Sequence, residues 1–297
     1  MTRARQVISS QDGTGESVVW DDRTGILMWV DIVGKRIHRL HLATSKHEIW
    51  PTPDFVPAVA LRKDGGAIVG LTHDICWWDF AHHFEPFARP EPDRSGNRIN
   101  ECVVAPDGSY WVGTMQSNLD SGGRPKVMDA NLGAYYRITP RGDISRLTDN
   151  VYGITNTMIW PGDGRFLTAD TLANEIYSFR YDDGSKVISD RSLFAAPFPR
   201  GRPDGSCMDE EGFFWNCRVS GGACLVRYTP DGRVDRVVEL PCSSPTSCAF
   251  GGDDLRTLFV TSSRFQMDPK YLTDNAQEGD LWAVDVGVRG RPCNRFG

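Results

Sequence analysis

Five polar residues with useful side chains stand where apolar stretches of this sequence begin: Glu16, Arg98, Asn100, Asn156 and Asp204. Carboxylate and amide oxygens are the hard ligands that Ca²⁺, Mg²⁺ and Mn²⁺ prefer. A guanidinium presents a planar set of donors that suits substrate oxygens. If the fold brought these residues together, they would form a cation site beside an oxygen-rich ligand pocket.

Four of these residues also have an ordinary structural explanation when each is considered alone. Pro203-Asp204-Gly205 is typical of a β-turn, because proline presets one backbone angle and glycine frees the next residue. The alternatives for the others are a solvated turn acid for Glu16, a turn-capping amide for Asn156 and a surface arginine for Arg98. Their equivalent placement in separate repeats favours a shared site.

An Asp/Gly-containing turn followed by a short, apolar, aromatic-rich stretch occurs six times along the chain. The six copies begin near residues 22, 63, 106, 162, 211 and 253. Repeats of about 40–50 residues with several short strands are typical of a β-propeller. We therefore predict an all-β, six-bladed β-propeller forming a single domain over residues 1–297. A strand near 281–286 is expected to pair with N-terminal residues and close the ring.

A closed ring would make the starts of its inner strands converge on one axis. Two carboxylates and an amide that meet there would repel one another without a cation. We expect one divalent ion, Ca²⁺, Mg²⁺, Mn²⁺ or Zn²⁺, with the oxygen ligands favouring the first three. Zinc bound through nitrogen and sulfur is disfavoured, because the six histidines form no ligand pattern.

Composition narrows the class of protein and its partners. The chain has 40% hydrophobic residues and a net charge of -6, so nucleic acid and anionic membranes are not expected as partners. Met1–Gln6 lacks the apolar stretch of a signal peptide, and no run has transmembrane length. We expect a cytoplasmic protein, a monomer or weak homodimer. The eight cysteines are expected to be mostly buried thiols, and Cys207 has no activating base nearby in the sequence.

The chain resembles the SMP-30/gluconolactonase/LRE-like sugar lactonases from about Gly13 to Val286. The motifs that carry the resemblance are Gly15-Glu16, Arg98-x-Asn100, Pro106-Asp107-Gly108-x-Tyr110-Trp111-x-Gly113-Thr114-Met115, Asn156 before its strand, Pro203-Asp204-Gly205 with Asp209-x-x-Gly212-x-x-Trp215, and Pro245-Thr246-Ser247-Cys248-Ala249-Phe250-Gly251-Gly252. Individually these motifs are weak, and in this order they are specific.

The resemblance implies a propeller with one divalent cation held by Glu16, Asn156 and Asp204. It also implies that Arg98, Asn100 and Glu101 contact the oxygens of a sugar lactone. Glu101 stands where the family more often has aspartate, and Cys102 follows in place of the more usual glycine. These two departures bear on the choice of substrate more than on the chemistry.

The expected reaction is metal-assisted hydrolysis of an aldono-1,4- or 1,5-lactone of a pentose or hexose to the aldonic acid. Asp204 would act as general base or would position the attacking water. Two alternatives stay open at this stage. One is a metal-dependent esterase acting on non-sugar lactones or organophosphates, and the other is a non-catalytic propeller that binds calcium or a partner.

Overall fold

A computed structural model describes residues 4–297, so Met1–Arg3 of the N-terminal segment discussed above lie outside the described residues. The chain forms six four-stranded antiparallel sheets arranged as the blades of a β-propeller, which confirms the predicted fold class.

The strands of the first three blades are β2 (Gly15–Asp21), β3 (Ile26–Asp31), β4 (Arg36–His41) and β5 (Lys46–Pro51); β6 (Ala58–Leu61), β7 (Ala67–Gly70), β8 (Ile75–Trp78) and β9 (Phe84–Ala88); and β10 (Asn97–Val104), β11 (Tyr110–Gln116), β12 (Tyr135–Ile138) and β13 (Ile144–Arg146). The fourth and fifth blades contain β14 (Thr155–Ile159), β15 (Arg165–Asp170), β16 (Glu175–Asp182) and β17 (Val187–Ala195); and β18 (Arg202–Met208), β19 (Phe214–Val219), β20 (Cys224–Tyr228) and β21 (Val234–Glu239). The sixth contains β22 (Pro245–Gly251), β23 (Thr257–Ser262), β24 (Leu281–Asp285) and β1 (Arg5–Ile8).

The sixth blade closes the ring. Its outermost strand is β1, which pairs antiparallel with β24, with Arg5 opposite Ala283. This arrangement confirms the predicted pairing between a strand near 281–286 and N-terminal residues. The inner strands β2, β6, β10, β14, β18 and β22 contact one another in that order, and β22 contacts β2 again. Their common direction places all six strand starts at one end of the central channel, which we call the upper end.

The core lies between neighbouring blades and contains tryptophans anchored by buried acids. Trp29 donates its indole N–H to Asp12 Oδ2 at 2.9 Å, and Trp215 donates to Asp209 Oδ2 at 2.9 Å. Asp209 lies in the predicted turn between β18 and β19, where its backbone carbonyl accepts from Gly212. Its side chain is nevertheless fully buried, since it also pairs with Arg227.

Residues 288–297, which we call the base segment, cross the lower end of the channel. Backbone N–H groups of Gly290, Arg291 and Phe296 donate to the carbonyls of Leu255, Met208 and Leu61 at 2.8–3.0 Å. The Asn294 side chain donates to the carbonyl of Val104 at 2.9 Å. The segment thus holds the ends of strands from several blades together.

A short helix, α1 (Pro269–Asp274), lies between β23 and β24. Asp268 caps it by accepting a hydrogen bond from the backbone N–H of Lys270, and proline occupies its first turn, as helix starts favour. Among residues 4–297, no helix is both long and apolar enough to cross a membrane.

Candidate functional site

Every residue predicted for the site lies on an inner strand. Glu16 belongs to β2, Asn156 to β14 and Asp204 to β18, while Arg98, Asn100 and Glu101 belong to β10. The sequence prediction recognised five of the six inner strands and missed β6, which is short and carries no polar residue in its Ala-Val-Ala-Leu sequence.

Irregular pairing occurs at the same place on five inner strands. The register shifts after Glu16 on β2, between Ile99 and Glu101 on β10, after Asn156 on β14, and across Asp204 on β18. β22 has the same shift, whereas β6 pairs regularly with its neighbour. A β-bulge leaves residues unpaired and redirects their side chains. The bulges therefore account for how strand residues in a packed sheet become available at the channel.

Asn156 is oriented by two amide contacts. Its Nδ2 donates to Thr171 Oγ1 at 2.7 Å, and its Oδ1 accepts from Asn100 Nδ2 at 3.3 Å. Asn100 also donates to the carbonyl of Thr155 at 2.9 Å. An amide oxygen has two lone pairs and Asn156 Oδ1 accepts one hydrogen bond, so the second lone pair is left for a cation.

Three carboxyl groups influence one another across the channel. Burial raises the pKa of Glu16 to about 7, although the backbone N–H of Ser17 and the charge of Arg98 act in the opposite sense. Burial, followed by the charges of Glu16 and Glu101, raises the pKa of Asp204 well above its ordinary value. Burial and the charge of Glu16 likewise raise the pKa of Glu101. Each of these carboxyls is therefore harder to ionise than an exposed acid, and a positive ion between them would reverse that effect.

Arg98 supplies the nearby positive charge and is held in place by a loop. Its Nε and Nη2 donate to Asn118 Oδ1 at 3.2 and 3.0 Å, and its Nη1 donates to the carbonyl of Ile99. Burial lowers the pKa of Arg98 to about 10, while the charge of Glu16 acts to raise it. Asn118 belongs to the segment that joins β11 to β12.

Sequence reasoning missed the residues that support Asp204. Thr157 Oγ1 donates to the backbone carbonyl of Asp204 at 2.6 Å, and Asn216 Nδ2 donates to the same carbonyl at 3.0 Å. Arg218 in turn donates to Asn216 Oδ1 at 3.2 Å. These contacts fix the bulged backbone of β18. Asn216 and Arg218 follow Trp215 in the sequence, but only tertiary packing identifies what they contact.

A cavity of about 420 Å³ lies in the lower half of the channel. Glu101 and Ser17 line its upper part, and base-segment residues such as Cys293 line its lower part. Glu16, Asn156 and Asp204 do not line this cavity. The cluster of polar residues at the strand starts, rather than this cavity, is therefore our candidate site.

The donor set fits a hard divalent cation. Within residues 4–297, no three His, Cys, Asp or Glu side chains are arranged to hold a metal by themselves. The predicted set instead combines two buried carboxylates with an amide oxygen, and Ca²⁺, Mg²⁺ and Mn²⁺ accept such mixed oxygen ligands. Buried carboxylates that repel one another are stabilised by a cation between them.

Comparison with known proteins identifies the family to which this chain is similar. The family model of the SMP-30/gluconolactonase/LRE-like region matches residues 14–264 of this chain. A regucalcin of Xenopus laevis is 32% identical over 290 residues, covering 96% of this chain and 95% of the relative.

Two solved structures show the same architecture. A calcium-binding regucalcin from Agrobacterium tumefaciens has a TM-score of 0.91 and 26% identity, and the similarity covers 100% of this chain and 98% of the other. A gluconolactonase from Xanthomonas campestris has a TM-score of 0.76 and 22% identity, with coverage of 96% and 89%. At that identity the second likeness speaks for the fold alone.

Proposed function

Since this chain belongs to the SMP-30/gluconolactonase/LRE-like family, we propose that it is a metal-dependent lactonase that hydrolyses sugar-acid lactones to aldonic acids. The observation that carries the proposal is the group of buried carboxyls of Glu16, Glu101 and Asp204 beside Arg98, which lie close enough that the charge of Glu16 raises the pKa of both other acids. A lactone carbonyl and a divalent cation both suit such a polar, water-restricted site.

We assign Glu16, Asn156 and Asp204 as the residues that would hold one divalent cation. When bound, such a cation supplies Lewis-acid polarisation of the lactone carbonyl. Asp204 is assigned as the group that takes a proton from the attacking water. Its backbone carbonyl accepts hydrogen bonds from Thr157 and Asn216, which fixes the point on β18 from which its side chain projects.

Substrate contacts are assigned to β10. Arg98 is preorganised by Asn118, so its guanidinium needs little further ordering to donate to lactone or hydroxyl oxygens. Both N–H groups of the Asn100 amide are already engaged, so Asn100 Oδ1 and the Glu101 carboxyl are the groups that offer acceptors for sugar hydroxyls. This polar lining of Arg, Asn and Glu favours a sugar lactone over an apolar ester, which would require an apolar surface around the reacting carbonyl.

Calcium binding without catalysis is a second candidate function. It is favoured by the description of the Agrobacterium neighbour as a calcium-binding protein. Both functions use the same oxygen ligands, so cation binding alone does not distinguish them. Turnover of a lactone does.

The test is a panel of five- and six-carbon aldonolactones, with hydrolysis followed by proton release. We expect turnover of at least one of them, loss of activity in excess EDTA, and recovery on adding Ca²⁺, Mg²⁺, Mn²⁺ or Zn²⁺. Activity that persists unchanged in EDTA would contradict the cation site. Cation binding without hydrolysis of any lactone would favour the second function.

A further inference from the structure

The lower half of the channel contains a group of cysteines that the proposed reaction does not use. Cys102, Cys207, Cys248 and Cys293 line the same cavity of about 420 Å³. They come from β10, β18, β22 and the base segment, which are far apart in the sequence. All eight cysteines of the chain are free thiols in this structure.

Two of these thiols are in direct contact across a blade boundary. Cys207 Sγ and Cys248 Sγ are 3.5 Å apart. A disulfide requires an S–S distance of about 2.05 Å. The sulfurs must therefore approach by about 1.5 Å, a distance that rotation of the two side chains can supply.

The backbones that carry these thiols approach closely beside them. A Cβ built on Gly205 of β18 would lie 2.9 Å from Ser247 Cα of β22. Gly205 precedes Cys207 by two residues, and Ser247 precedes Cys248 by one. The two strands are neighbours in the ring but belong to different sheets, so no backbone ladder between them would have to break.

The environment also distinguishes the two sulfurs chemically. Hydrogen bonds from the Cys207 and Cys217 thiols lower the pKa of Cys248. Cys207 is only partly buried, and it lines the cavity beside Cys248. Cys217 is fully buried on β19 and does not line the cavity. A small oxidant in the cavity would thus meet Cys207 and Cys248 together.

We propose that Cys207 and Cys248 are a redox pair that hydrogen peroxide converts into a disulfide between the fifth and sixth blades. The Cys248 thiolate attacks one peroxide oxygen, the O–O bond breaks, and water leaves after protonation of the hydroxide. The Cys207 sulfur then attacks the resulting sulfenic sulfur, and the S–O bond breaks as a second water leaves with the Cys207 proton. Both sulfurs are oxidised, and the two peroxide oxygens are reduced to water.

The test counts thiols in the whole protein. The protein is treated with a small excess of hydrogen peroxide, catalase removes the remainder, and iodoacetamide alkylates the free thiols under denaturing conditions. Intact mass is expected to show six alkylated cysteines instead of eight, and non-reducing peptide mapping is expected to join Cys207 to Cys248. Dithiothreitol should restore eight.

Matched variants separate this pair from general oxidation. Cys248→Ser should keep all seven of its thiols after peroxide, whereas Cys76→Ser, altered in the second blade, should still lose two. Cys207→Ala removes the second thiol of the bridge, so Cys248 should stop at the sulfenic acid, which dimedone labels, and six thiols should be alkylated with no Cys–Cys crosslink. Eight alkylated thiols in the oxidised wild type, a bridge to Cys217 or Cys293, or sulfinic acid on Cys248 without a bridge would each overturn the proposal.

Discussion

Asp204 has two roles in the proposed chemistry, as a cation ligand and as a proton acceptor. Asp204→Asn retains an oxygen ligand but removes the proton acceptor, and Asp204→Ala removes both. We expect Asp204→Asn to lower kcat by about 10²–10⁴-fold, the range of a lost general base. Cation affinity should fall less in Asp204→Asn than in Asp204→Ala. Initial rates by proton release and titration calorimetry with the cation measure the two effects.

The control for Asp204 is Asp285→Asn, an exposed acid on β24 that is far from the channel strands in the sheet order. Its rate and cation affinity should match the wild type. A kcat for Asp204→Asn within about twofold of the wild type would assign Asp204 a ligand role only.

At the residue scale, the buried carboxyl of Asp12 should make the free energy of unfolding depend on pH. It is 1% exposed, accepts from Trp29 and lies 3.1 Å from His38 Nε2. Burial acts to raise the pKa of Asp12, but the contacts with His38 and Trp29 outweigh it and lower the pKa below 3.8. A lowered pKa contributes stability above the unfolded-state pKa, and that stability is lost as the pH falls through the folded-state pKa.

Asp12→Asn should therefore lower the free energy of unfolding at pH 7 by about 3–5 kcal/mol, since it removes one partner of a buried charge network. The difference from the wild type should shrink as the pH falls below about 4, where the Asp12 carboxyl of the unfolded chain begins to take up protons, and should be smallest below the lowered folded-state pKa. Urea unfolding of both proteins at a series of pH values measures this difference in the free energy of unfolding. Asp285→Asn serves again as the control, and a difference that stays constant down to pH 2 would contradict the assignment.

At the scale of elements, the β-bulges decide how the inner strands present their side chains. The bulge of β18 requires a glycine next to Asp204, because a Cβ on Gly205 would lie 2.8 Å from the carbonyl oxygen of Thr246. That contact is with the backbone of β22 and cannot be relieved by a side-chain rotation. Glycine is thus required here by close approach of two strands.

Gly205→Ala should destabilise the protein by about 1–3 kcal/mol, the usual cost of overpacking. It should also weaken cation binding, because β18 must shift away from β22 and carry Asp204 with it. Unfolding in urea and calorimetric titration measure the two effects. Gly96→Ala is the matched control, since a Cβ on Gly96 meets no heavy atom within 4 Å. Equal stability of the two variants would show that β18 absorbs the added methyl group without strain.

At the scale of the whole molecule, the base segment connects several blades at the lower end of the channel. Phe296 is 2% exposed and lies 5.4 Å from Trp77, 5.9 Å from Phe87 and 6.1 Å from Tyr110 between ring centroids. Its backbone N–H donates to Leu61, and its carbonyl accepts from Lys63. The segment therefore adds core contacts to the second and third blades, far from its own position in the sequence.

Phe296→Ala should lower the free energy of unfolding by about 3–5 kcal/mol, the range for deleting a buried phenylalanine. The upper-end site should keep its kcat at temperatures where the variant is folded. Val187→Ala, at a 54% exposed position, should change stability by less than about 0.5 kcal/mol. Urea unfolding measures both variants. An unfolding midpoint for Phe296→Ala equal to that of Val187→Ala would show that the base segment does not stabilise the ring.

The repeat pattern in the sequence was sufficient to predict the architecture. Turn residues and alternating apolar positions are local properties, so six copies of them indicated six blades and the closing strand near 281–286. The short β6 was missed because four small apolar residues carry no alternation that could identify them. The burial of Asp209 was also missed, because its polar sequence neighbours resemble those of any surface turn.

The sequence by itself determined the residue types available at the strand starts, and therefore the predicted oxygen ligands Glu16, Asn156 and Asp204, which stay predictions until a cation is measured. Only the tertiary structure decided how the backbone presents them, through bulges, and which residues support them, such as Asn118 and Thr157. It also decided that Cys207 and Cys248 meet. The physical reason is that periodicity is encoded by neighbours in the chain, whereas contacts across blades depend on ring closure, which joins residues that no local pattern relates.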